Sequence, residues 1–368
     1  MKLAVRIALA AGVLAALVAA VWFWLGRREE PPKPRDQVIA EIDADLTRLA
    51  SRGLGGAVVL EQDGEVLISK GYGLADRASG RAVTPETGFD IGSLVKPFTT
   101  VAVLKLESGG ALHRTDSIAR FLPDLPADKA RITVQQLLTH SSGLPDIVDA
   151  EGRPWGYTTD YDYEPVSRDE LLRRATKARL IFEPGERSEY SNLGFSLLGA
   201  IVEIASGEPY ERFLQRTVFQ PAGMTRTGYR GPGWTNAELA VGYRGDSRWG
   251  TPLDHPWLAD GPSWNLRANG GMLSTAEDLH RWIRALAGEV LLTPAEKKAF
   301  FELSVHLNKR GVRTFGVAGS NTIFDAAYLW YPDENRTLVM LTSSDSWRAE
   351  KLIPDLARKM RSIRRPGR

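Results

Sequence analysis

The stretch Phe89-Asp90-Ile91-Gly92-Ser93-Leu94-Val95-Lys96 places a serine and a lysine three residues apart, ahead of the apolar run Thr99-Thr100-Val101-Ala102-Val103-Leu104. If a helix opens at Ser93, Lys96 lies one turn on and on the same face, so its amine can approach the Ser93 hydroxyl. A serine is a poor nucleophile near neutral pH unless a base sits beside it. Lysine can be that base when burial lowers its pKa, and the N-terminus of a helix adds partial positive charge and free backbone donors. The same spelling also describes an ordinary helix start with a serine cap and an exposed lysine.

Working outward, a second candidate constellation is Tyr190-Ser191-Asn192, preceded by Pro184-Gly185 and followed by the helix-forming run Leu193-Gly194-Phe195-Ser196-Leu197-Leu198. Between the two lies Leu137-Leu138-Thr139-His140-Ser141-Ser142-Gly143-Leu144-Pro145, and beyond them Pro221-Ala222-Gly223-Met224 and Gly270-Gly271-Met272-Leu273-Ser274-Thr275-Ala276-Glu277-Asp278-Leu279. In this order the motifs resemble the serine β-lactamases and penicillin-binding proteins, in the subgroup with class C β-lactamases, D-alanyl-D-alanine peptidases and related esterases. The resemblance implies catalytic roles for Ser93 as nucleophile and for Lys96 and Tyr190 in proton transfer. It implies that Asn192 orients the lysine and the substrate, and that His140 is structural.

The family's third motif is His or Lys, any residue, then Gly, on a strand beside the nucleophile. Here the matching stretch is Phe315-Gly316-Val317-Ala318-Gly319-Ser320-Asn321, with Phe324 and Pro332 setting the register. Gly319 and Ser320 then become substrate-binding positions, the N–H of Ser320 joining that of Ser93 in an oxyanion hole. Val317 stands where the cationic or polar residue is expected. Lys309-Arg310-Gly311 fits the motif by spelling but reads as the turn before the strand. A valine at 317 argues against a β-lactam or peptide substrate that needs a carboxylate contact, and favours an ester or amide without one.

The surrounding pattern gives the fold class. Val38, Ile42, Leu46 and Leu49 recur at helical spacing, with Gly53 as terminator. Ala57–Leu60 and Val66–Ile68 flank Asp63-Gly64, a hairpin signal. The middle, 98–225, reads as helices and loops, with capping patterns at Thr133–Gln136 and Ser167–Glu170. Ser274–Glu277 and Thr293–Glu296 cap two more helices, and strands are expected at 313–317, 326–331 and 337–342 before a final helix from about Ser346. Strands at both chain ends with helices between them imply an α/β protein of the α+β type. Its antiparallel sheet is flanked by helices and carries an inserted helical subdomain, β-lactamase/transpeptidase-like by the resemblance.

Composition bounds the rest. The 368 residues carry a net charge of +2, which supplies no global field for nucleic acid, and no cysteine, which removes disulfides and thiolate sites. The five histidines are scattered, so neither a metal nor another cofactor is expected. Ile7 to Gly26 holds no charge and is close to a membrane span in length, with Trp22 and Trp24 near the basic stop Arg27-Arg28. Residues 1–28 are therefore read as a transmembrane anchor or a signal, 29–35 as a Pro-rich linker and 36–368 as the hydrolase domain. The domain is expected on the periplasmic or extracytoplasmic side, with the membrane and a small-molecule or peptide substrate as partners. A catalytically impaired relative that binds a peptide or cell-wall fragment is the alternative. Trp155, Trp234, Trp249, Trp257 and Trp264 suit either a pocket or the core.

Overall fold

The computed structural model describes residues 32–364 except 123, 156–163, 256–257, 305, 308–310 and 322. The expected anchor at 1–28 and the residues Trp257, Lys309 and Arg310 lie outside the described set. Among the described residues no helix is long and apolar enough to cross a membrane.

The chain opens with helix α1 (Arg35–Ala50), whose Val38, Ile42 and Leu46 form one buried stripe. It ends where expected, with Gly53 in the left-handed region just beyond. Strands β1 (Gly56–Gln62) and β2 (Glu65–Tyr72) follow, joined by Asp63 and Gly64, both with positive φ, as a tight two-residue hairpin requires. The short strand β3 (Phe89–Asp90) leads into a single 3₁₀ turn, Gly92–Leu94, and then helix α2 (Val95–Ser108). Ser93 therefore sits in the tight turn before the helix rather than in its first α-helical turn.

The helical middle holds α3 (Val134–Leu138), α4 (Arg168–Lys177) and α5 (Asn192–Ser206) among other short elements, with side-chain caps from Thr133, Ser167 and Ser191. Strand β4 (Leu273–Ser274) pairs with β3. Helix α6 (Ala276–Ala287) is capped by Thr275, which accepts from the Asp278 N–H, one residue later than the sequence suggests. Ser274 is unavailable as a cap because it belongs to the strand and its hydroxyl bonds Thr227 at 2.8 Å. After α7 (Pro294–Ser304) come β5 (His306–Leu307), β6 (Arg313–Asn321), β7 (Phe324–Tyr331) and β8 (Arg336–Thr342). The last helix, α8 (Ala349–Arg361), starts later than Ser346, since Ser344 and Trp347 close a turn first.

Six of these strands form one antiparallel sheet in the order β2-β1-β8-β7-β6-β5, assembled from both ends of the chain, while β3 and β4 pair apart from it. Helices α1 and α8 cover one face, with Val58, Leu60, Leu338 and Met340 facing them. The other face, with Ala57, Val59, Val339 and Leu341, packs on α2, α6 and the helical middle. Trp234 and Trp264 are buried, so these two are packing residues. The chain enters the domain at one end of the sheet, where the Lys33 N–H donates to Ser362 O at 2.7 Å and Arg35 pairs with Glu65. That end holds the row Glu65, Gln62, Arg336 and Tyr331. Gly319 pairs with Ala326, five residues from Tyr331 along β7, so it lies roughly 17 Å along the strands and on the face opposite α1.

Phe98 of α2 joins the layers, meeting Trp282 of α6 at 4.7 Å and Phe219 at 5.3 Å, both edge-on. Replacing it with alanine is expected to cost about 3–5 kcal/mol by loss of transfer energy plus a cavity. Val66→Ala, at a 43% exposed strand position, should change stability by no more than about 0.5 kcal/mol. Denaturant titration of the two variants checks the contrast.

Candidate active site

Three chain segments converge on the amine of Lys96. The 3₁₀ turn brings the Ser93 hydroxyl to 3.0 Å from Lys96 Nζ. The N-terminus of α5 brings Asn192 Oδ1 to 2.7 Å, and the loop before β4 brings the carbonyl of Asn269 to 2.8 Å. An ammonium has three protons, and these are three acceptors. Lys96 is 6% exposed. Burial pushes its pKa down to about 7, against the opposing pull of the Asp146 carboxylate. The amine is thus neutral in a large fraction of molecules near neutral pH, with its lone pair available toward Ser93.

Tyr190 completes the cluster. Its hydroxyl lies 2.7 Å from Ser93 Oγ, and its ring lies 4.8 Å from Lys96 Nζ. Loss of water around the hydroxyl raises its pKa to about 12, so it is a phenol, able to pass a proton but not to act as a standing base. The residue nonetheless keeps 45% exposure and so borders open space.

The turn that presents Tyr190 and Asn192 is held from below. Ser191 caps α5, accepting from the Gly194 N–H at 3.0 Å and donating to Pro145 O at 2.9 Å. His140 takes positive φ, accepts the Ser191 N–H on Nδ1 at 3.1 Å and stacks on Tyr190 at 4.8 Å. Burial, with Lys96 adding to it, pushes its pKa down to about 4, so the ring is neutral. It positions the turn and makes no hydrogen bond to Ser93. Asp146 accepts the Asn192 N–H at 2.8 Å, and its own carbonyl takes the Leu193 N–H. Asp146 and Asn269 were not singled out in the sequence: one acts through a capping carboxylate and the other through a backbone carbonyl, which any residue supplies.

Strand β6 closes the far side. A methyl group on Gly319 would lie 2.5 Å from Ser93 N and 2.6 Å from Ile91 O; one on Gly92 would lie 2.7 Å from Ser320 N. The two backbones therefore touch along a seam that only glycine permits, and the backbone nitrogens of Ser93 and Ser320 lie along it. Val317, two residues along from Gly319 on the same face, is half-buried against the apolar core. Gly311, in the left-handed region, lies two residues before β6, the strand that carries Val317.

The sequence pattern of the β-lactamase family matches residues 36–359. The chain belongs to the β-lactamase family. It is 27% identical over 302 residues to PbpX of Bacillus subtilis (strain 168), covering 75% of this chain and 72% of that protein. It is 35% identical over 201 residues to esterase EstB of Burkholderia gladioli, covering 52% of this chain and 51% of EstB. The solved structure of a penicillin-binding protein from Bacillus halodurans superposes with TM-score 0.69 at 27% identity, over 85% of this chain and 98% of that one. The family match makes this chain serine-hydrolase-like.

The rate of Ser93 labelling by a fluorophosphonate should rise about tenfold per pH unit below about pH 7 and level off above it, since protonated Lys96 cannot accept the serine proton. Asp146→Asn removes the negative charge that favours the ammonium, so its rising limb should move to lower pH. A limb that stays put or moves upward would contradict this electrostatic account.

Proposed function

We propose that this domain hydrolyses an ester or amide through an acyl-enzyme on Ser93. The observation that carries the reading is the placement of Ser93 Oγ between Lys96 Nζ at 3.0 Å and the Tyr190 hydroxyl at 2.7 Å. The neutral amine of Lys96 takes the serine proton as Oγ bonds to the carbonyl carbon. The N–H groups of Ser93 and Ser320 hold the resulting oxyanion. On collapse the bond to the leaving group breaks, Tyr190 gives that group its proton, and Lys96 replaces the tyrosine proton. A water then attacks the acyl carbon and gives its proton to Lys96; as the bond from that carbon to Oγ breaks, Lys96 returns the proton to Oγ, which frees the acid and restores the Ser93 hydroxyl and the neutral amine. Asn192 keeps the lysine in line and offers its amide to the substrate.

Val317 supports a substrate without a carboxylate beside the scissile bond, and the name of EstB, an esterase, agrees with an ester. Residues 1–28 are proposed as a membrane anchor with the domain on the extracytoplasmic side. The chain enters the domain at the end of the sheet away from Ser93 and on its opposite face, so the cleft would open away from the membrane. Val317 also suits a relative that binds a peptide or cell-wall fragment without turning it over.

A fluorophosphonate probe separates the two readings. Wild type should label and Ser93→Ala should not, while Lys96→Ala and Tyr190→Phe should label about 10²–10⁴-fold more slowly. Among short-chain aryl esters, D-amino-acid peptides and a chromogenic cephalosporin, the esters should be turned over fastest. Unlabelled wild type, or equal labelling of Ser93→Ala, would leave only the binding reading.

A further inference from the structure

We propose that Asp90 and Asn321 form a positioning clamp that fixes the separation of the Ser93 and Ser320 backbone N–H groups, an inference that rests on the nucleophile reading of Ser93. Asp90 is the last residue of β3 and Asn321 the last of β6, and both are fully buried. One oxygen of the Asp90 carboxylate accepts the Gly92 N–H at 2.8 Å; the other accepts from Asn321 Nδ2 at 2.6 Å. Gly92 immediately precedes Ser93, and Asn321 immediately follows Ser320. A single carboxylate thus spans the glycine seam, anchored one residue from each oxyanion donor.

The chemistry of this pair suits positioning better than stability. Asp90 forms no ion pair among the described residues, and burial raises its pKa to about 6 against the pull of its two donors. Among the described residues Asn321 Oδ1 is buried without a partner, which costs stability. Replacing a buried charged or polar pair by apolar groups is often neutral or stabilising, so cohesion alone gives no reason for this one. What it supplies is direction. The carboxylate holds Gly92 in its left-handed conformation at φ 48° and draws the end of β6 toward the same point. An oxyanion hole works only with its donors about 2.7–3.1 Å from the oxygen, and a misplacement of about 1 Å can cost about 10²-fold in rate. Neither residue touches the reacting atoms.

The test uses Asp90→Ala and, separately, Asn321→Leu, assayed on an aryl ester whose acylation is rate-limiting. Turnover is divided by the number of sites labelled at end point by a fluorophosphonate, and the melting temperature is recorded alongside. The kcat per labelled site should fall about 10–100-fold with KM changed by less than about threefold. The pH dependence of labelling should keep its midpoint, because the surroundings of Lys96 are untouched. Asp90→Asn should recover most of the rate lost in Asp90→Ala. Its amide oxygen still accepts from Gly92, and a rotated Asn321 amide can turn its orphan oxygen to the new NH₂. A melting temperature that falls while kcat per site stays within about threefold of wild type in both variants would reduce the pair to fold support. Asp90→Asn as impaired as Asp90→Ala would also overturn the clamp. Absence of Ser93 labelling in the wild type overturns the nucleophile reading and the clamp together; normal labelling with unaffected variants overturns the clamp alone.

Discussion

The burial of one lysine amine organises the centre of this molecule. Taking an ammonium out of water is costly unless each proton finds an acceptor, and Lys96 finds three, from Ser93, Asn192 and Asn269. These belong to the 3₁₀ turn before α2, the start of α5 and the loop before β4, which are far apart in the chain. Satisfying the amine therefore fixes the helical middle against the segment that leads back to the sheet. Exclusion of water brings the pKa of Lys96 down to about 7, while one of its contacts rests on the serine hydroxyl.

The second constraint is spatial. Strand β6 meets the nucleophile turn backbone to backbone because Gly319 and Gly92 lack side chains at the contact. This seam brings together two N–H groups more than two hundred residues apart. It also explains why Val317 can replace a polar residue without disturbing the rest of the site. The backbone groups require no particular side chain at 317, and a half-buried valine simply extends the apolar face of β6.

Much of the site was legible in the sequence because its members come in short local patterns. Ser93 and Lys96 share a turn, Tyr190 and Asn192 flank a capping serine, and Gly319 precedes Ser320 in a strand. The helix stripe of α1, the Asp63-Gly64 hairpin and the caps at Thr133 and Ser167 were legible for the same reason. The cap of α6 was misplaced by one residue because Ser274 and Thr275 are equal candidates by spelling, and only the pairing of β4 with β3 takes Ser274 away. Asn269 escaped because it contributes a carbonyl, and Asp146 because its work is done on the backbone of another segment.

By itself, then, the sequence determined which residue types were available for the proposed nucleophile, base and relay, the order of the main strands and helices, and the valine at position 317. Local periodicity and spacing suffice for those, since they involve neighbours within a turn or a strand. Tertiary structure alone decided the pKa of Lys96, which depends on water excluded by three distant segments. It alone brought Ser93 and Ser320 to one seam, and placed the chain entry at the end of the sheet away from the cleft. It alone joined Asp90 to Asn321 across 231 positions. Each of these is a contact or a burial between remote parts of the chain, and no local pattern encodes it.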